Sequence, residues 1–176
     1  MRGQAHLAGG VLLGVAVAGG LSAGGVEAAG LIVAASLGGI CPDFDTAIYF
    51  VHKRKLHIER DFPDHHRYPT HTPLFYLLLL GVPLTLSLLQ GWPTLISQML
   101  AVGLAGALLH LFLDLFWTNG IMLFWPLSWS MYNIYLQTTD EISQFVPYRG
   151  TPADRVERAL EAAATAAVIY CLIQVL

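Results

Sequence analysis

Apolar residues gather into five stretches, at about 7–23, 26–41, 73–90, 94–116 and 159–176, separated by polar or aromatic interruptions. Each approaches the roughly 20 residues that a helix needs to cross a bilayer. The pattern predicts an all-α, polytopic membrane bundle of about five transmembrane helices, forming a single domain over residues 1–176. The first two stretches are rich in Gly and Ala, which lowers their hydropathy but lets helices approach closely through small faces. A polar loop from Pro42 to Thr72 separates the second from the third. Between the fourth and fifth lies "FWTNGIMLFWPLSWSMYNIY", broken by Pro, Asn and Gly. Its tryptophans and tyrosines suit the headgroup level, as an interfacial or re-entrant segment. Thr151 reads as the N-cap of the last helix and Pro152 as its first residue, which places that helix's charged first turns at the interface.

Composition strengthens the membrane reading. Only 12% of the 176 residues are charged and 55% are hydrophobic, where soluble domains carry about 25% charged residues. The net charge of −3 has no single-sign run behind it. Lys53, Arg54 and Lys55 make too short a cluster for nucleic acid. Cys41 and Cys171 lie in separate apolar stretches without C-x-x-C spacing, so neither a disulfide framework nor a thiolate zinc site is indicated. The opening "MRGQAHLAGGVLLGVAVAGG" imitates a signal peptide. A histidine at the start of its apolar run opposes that, and a retained first helix is the expectation.

The basic residues fix an expected topology. They occupy three places: Arg2; the loop with Lys53, Arg54, Lys55, Arg60 and Arg67; and Arg149, Arg155 and Arg158. The short turns near Gly24 and Gly91 have none. With five spans, the positive-inside rule puts the N-terminus in the cytoplasm and the C-terminus outside.

Polar residues at segment ends then fall on one side. His6 opens the first segment; Asp43 and Asp45, in "PDFD", close the second; His65, His66 and His71 precede the third; His110 and Asp114, in "HLFLD", end the fourth. His110 and Asp114 are four apart and share one helical face. An aspartate within an apolar helix costs roughly 2.5–3.5 kcal/mol and requires a partner. A His–Asp bond tying helices together would supply one, and so would a shared metal. Imidazole and carboxylate without thiolate suit Zn²⁺, Mn²⁺ or Fe²⁺. The surplus of candidate ligands, His6, Asp43, Asp45, His66, His71, His110 and Asp114, points to an open site holding one or two divalent ions, with Zn²⁺ foremost. His52 and His57, beside the basic cluster, are expected to be inert. Arg67 fits either a phosphate clamp or a headgroup anchor.

This ordered series, His6 with Gly10 behind it, "PDFD", "HRYPTH", "HLFLD" and "WTNGIMLFWPL", resembles the membrane-bound, metal-dependent hydrolase family known as YdjM-like, whose bacterial members include a LexA-regulated inner-membrane protein. The resemblance covers about residues 1–127. That family is grouped with zinc-dependent phospholipases C and single-strand-specific zinc nucleases, all-helical enzymes that cleave phosphate esters. The resemblance implies that Asp45 or Asp43, with His66 or His71 and His110, binds one metal. Asp114 would bridge to a second ion, which His6 would serve. The family's usual "HRGxTHS" stands here as "HRYPTHT", with Tyr68, Pro69 and Thr72 as departures.

The function expected from these residues is a phosphoester hydrolase acting on a lipid headgroup or lipid phosphate at the cytoplasmic membrane face. Asp43 or Asp45 would accept a proton from water and Arg67 would hold phosphoryl oxygens. A divalent-metal transporter or sensor is the alternative, although carriers usually place ions near the midplane between repeated halves, and no halves repeat here. A purely structural membrane protein, its His and Asp groups bonded to one another, is the third.

Overall fold

The computed structural model describes residues 3–46, 51, 68–92, 94–117, 120–132 and 152–175. Its architecture is helical: α1 (Gly3–Gly20), α2 (Gly25–Ile40), α3 (Pro73–Gln90), α4 (Thr94–Trp117) and α5 (Pro152–Val175). Among the described residues the only strand-like pairing is an isolated antiparallel bridge between Ile121 and Tyr132.

Among the described residues, three helical stretches are long and apolar enough to cross a membrane: Gly25–Thr46, Pro73–Gln90 and Thr94–Leu115. The expected first span is a shorter apolar helix, Gln4–Gly20. The helix that carries the expected fifth stretch begins at Pro152, so Asp154, Arg155, Glu157 and Arg158 precede the apolar run from residue 159. Thr151, the anticipated cap, lies outside the described residues.

Backbone proximity organises the bundle, with α2 packed between α1 and α4 and with α5 against α1. A Cβ added at Gly10 would stand 2.6 Å from the Ala35 carbonyl oxygen, and one at Gly39 would stand 2.8 Å from that of His6. Towards α4, Gly38 abuts the backbone of Gly103, and Gly106 abuts that of Ala35. The Gly/Ala-rich composition of the first two segments is therefore what lets three helices meet almost backbone to backbone. Leu31, Ala35 and Val102 fill the apolar core along that seam.

Two local devices shape the ends. Pro42 turns the chain after α2 into a single 3₁₀ turn over Cys41–Asp43. A second 3₁₀ turn, Pro69–His71, leads into α3, where Thr72 caps the helix by accepting from the Phe75 amide at 3.4 Å. Within α3, Leu77–Gly81 forms a π-helical turn. Pro83 offers no N–H to the carbonyl one turn back and its ring crowds it, so the helix widens there. Gly91, with φ of +66°, closes α3 in the left-handed conformation that glycine adopts freely.

The aromatic stretch after α4 buries Ile121, Met122 and Met131 and leaves Leu127 and Trp129 largely exposed. That combination fits the interfacial segment expected from its composition.

Candidate metal centre

Four pieces of chain bring the polar cluster together. The first turns of α1 carry His6, the turn after α2 carries Asp43 and Asp45, the turn before α3 carries His71, and the last turns of α4 carry His110 and Asp114. Each residue sits where a helix begins or stops, so its side chain can reach sideways past the apolar core. His6, His71, His110 and Asp114 are each at most 2% exposed. The Asp43 side chain, at 26%, is the open edge of the cluster.

The imidazole Nε2 atoms converge on carboxylate oxygens. His6 Nε2 lies 3.2 Å from Asp114 Oδ1, and His110 Nε2 lies 3.2 Å from Asp114 Oδ2. Asp43 Oδ1 is 3.7 Å from both His71 Nε2 and His110 Nε2, and His71 Nε2 stands 4.0 Å from Asp114 Oδ2. Two ligands at about 2.1 Å from a tetrahedral ion stand about 3.4 Å apart, so these separations match donors around a common centre. Two overlapping triads, His6–Asp43–His110 and His71–His110–Asp114, each keep their donor atoms within 4.8 Å of one another, and both include His110. The His6 and His110 rings stack with centroids 3.6 Å apart.

The remaining ring nitrogens are held from outside. His110 Nδ1 hydrogen-bonds the Gly39 carbonyl at 2.8 Å. A carbonyl only accepts, so Nδ1 carries the proton and Nε2 presents a lone pair to the cluster. His71 Nδ1 lies 3.3 Å from Asp45 Oδ2, and the Thr70 hydroxyl donates to that same oxygen at 2.9 Å. This is the carboxylate–histidine arrangement that orients a metal-binding imidazole. Asp45 thus stands outside the ring of donors, behind His71, whereas Asp43 stands within it.

Hydrogen bonding among these groups is incomplete. Neither His6 Nδ1 nor His110 Nε2 makes a hydrogen bond, although both are buried. A buried polar atom without a partner costs about 1–3 kcal/mol, and natural proteins keep few. A divalent cation at the common centre would engage His110 Nε2 and offset the crowding of carboxylates. The donor set therefore fits a nitrogen- and oxygen-ligated metal on chemical type, spacing and orientation.

Tyr76 was absent from the sequence-derived candidates. It is fully buried one turn into α3, beside Cys41 and within electrostatic reach of Asp43 and Asp45. A sequence signal existed, because residue 76 follows His71 by little more than one turn, but a tyrosine in a Leu-rich helix reads as core. Gly39 carries no signal at all, since its backbone carbonyl is the functional group. Of the remaining candidates, His65, His66 and Arg67 lie outside the described residues, as do His52 and His57.

Compared with known families, residues 1–176 match the model described as YdjM inner membrane protein. Neither a curated protein nor a solved structure matches the chain.

Proposed function

The chain belongs to the YdjM inner membrane protein family, and from that premise we propose that it is a membrane-embedded, metal-dependent hydrolase of phosphoesters. Its substrate is a lipid headgroup or lipid phosphate at the cytoplasmic face. The observation that carries this reading is the convergence of His6, Asp43, His71, His110 and Asp114 in two overlapping triads at one end of an apolar bundle. Ionisable groups held within a membrane protein are costly and mark functional sites by default.

Zn²⁺ is the ion best suited to this donor set, with Mn²⁺ or Fe²⁺ sharing it, in one or two copies. Such an ion lowers the pKa of bound water and polarises a phosphoryl oxygen. The protein's own groups do the rest. His6, His71, His110 and Asp114 bind, and Asp45 with Thr70 fixes the His71 ring. Asp43, on the open side, accepts the proton released from the attacking water. Arg67 supplies the fork that holds nonbridging oxygens, a role resting on its sequence position beside "HRYPTH". The cytoplasmic assignment rests on the clustering of Lys and Arg in the Pro42–Thr72 loop beside these ligands.

Purified protein supplied with divalent metal and assayed against phospholipids, lipid phosphates and nucleotides should turn over a phosphoester-bearing lipid, and Asp114→Ala should abolish that turnover. If metal-loaded protein cleaves none of the panel, the hydrolase reading is overturned.

A further inference from the structure

An apolar groove of about 400 Å³ runs along the bundle between α2, the π-helical turn of α3, and α4. Its wall includes Val33, Leu37, Cys41, Leu79, Met99 and Leu100. The widened turn over Leu77–Gly81 displaces Leu79 and Leu80 from a regular helical register and so helps shape one side. Val33, Leu37 and Leu79 are each about half exposed, at 52%, 56% and 48%, which leaves the groove open laterally. Its volume falls within the roughly 300–1,000 Å³ of small-molecule sites.

The groove leads to the polar cluster. Cys41 lines its end and is followed by Pro42 and Asp43, and Gly38, also in the wall, precedes the Gly39 carbonyl that holds His110. Tyr76, fully buried, packs with Cys41 against α4 behind this end of the groove. From one end to the other the order is an apolar channel and then a nest of metal-type ligands with Asp43 at its open edge. An amphiphile with the same order is a lipid: acyl chain, then phosphate headgroup.

We propose that the groove binds one acyl chain of a membrane phospholipid or lipid phosphate, with the head of that chain at the Cys41 end, towards Asp43. The assignment rests on the phosphoester-hydrolase reading and names where its substrate's tail lies. An acyl chain entering sideways from the bilayer leaves no water against the wall.

The test uses the full chain in proteoliposomes containing phosphatidic acid with a diazirine in its acyl chain. Photolabelling should favour Val33, Leu37 and Met99 over the outward-facing Leu88 and Leu89 by about tenfold, and Leu37→Trp should cut it by a similar factor, the usual scale for overfilling an apolar site. Leu89→Trp should not, and bound metal should be the same in all three proteins. Val33→Trp serves if Leu37→Trp does not fold. Even labelling of both faces, or groove labelling that survives both tryptophans, would overturn the assignment in favour of ordinary surrounding lipid. Groove labelling without turnover of any phosphoester overturns the hydrolase reading and leaves the groove; turnover without groove labelling overturns the groove alone.

Discussion

Two sets of polar side chains are buried in this apolar bundle, and they are satisfied differently. Ser87 of α3 and Ser97 of α4 hydrogen-bond each other, and both are buried. Their hydroxyls are matched, one donor to one acceptor, and the pair needs nothing else. The histidine–aspartate cluster at the end carrying His6, His71 and Asp114 is not matched in this way. Its imidazoles meet several carboxylate oxygens at 3.2–4.0 Å, while His110 Nε2 and His6 Nδ1 form no hydrogen bond. Helix association accounts for the serine pair. In the cluster, by contrast, donor atoms from four pieces of chain lie within 4.8 Å of one another in two overlapping triads.

Removing His110 should break the contrast most strongly, because this residue belongs to both triads. His110→Ala should bring bound transition metal below about half an equivalent, measured by elemental analysis, from the one or two ions proposed for the parent protein. Asp45→Asn should be gentler. It leaves the donor ring intact but weakens the hold on His71, so metal affinity should fall about 10–100-fold by competition with a chromogenic chelator. Unchanged affinity would place Asp45 among ordinary solvated turn residues. The smallest effect belongs to the serines. Ser87→Ala should cost about 0.6–1.7 kcal/mol of stability in detergent unfolding, the scale of interhelical hydrogen bonds in membranes, with no change in bound metal. Loss of metal in Ser87→Ala would dissolve the distinction between the two sets.

Much of this arrangement is legible in the sequence because the ligands sit at helix ends, where an apolar run meets a Pro, a Gly or an unexpected His. The spacing of "HLFLD" already places His110 and Asp114 on one face, and Pro42 already ends α2 beside Asp43. The choice between Asp43 and Asp45 is not legible, since two carboxylates two residues apart differ only in which way a 3₁₀ turn directs them. The Gly39 contact is invisible for a different reason: any residue has a carbonyl, and only the close packing of α2 on α4 makes this one reach His110. The helices at both termini are legible as well. The apolar run that opens the chain lies in α1, and Pro152 begins α5 ahead of the apolar stretch from residue 159.

The carbonyl that steadies His110 belongs to the stretch of α2 that touches both neighbouring helices: Gly38 meets α4, and Gly39 meets α1 at His6. A slide of α2 by one helical turn would carry that oxygen about 5.4 Å away. Shear between the two helices is thus transmitted to an imidazole instead of being absorbed by pliant side chains. Close backbone packing on both sides of α2 fixes where that imidazole stands.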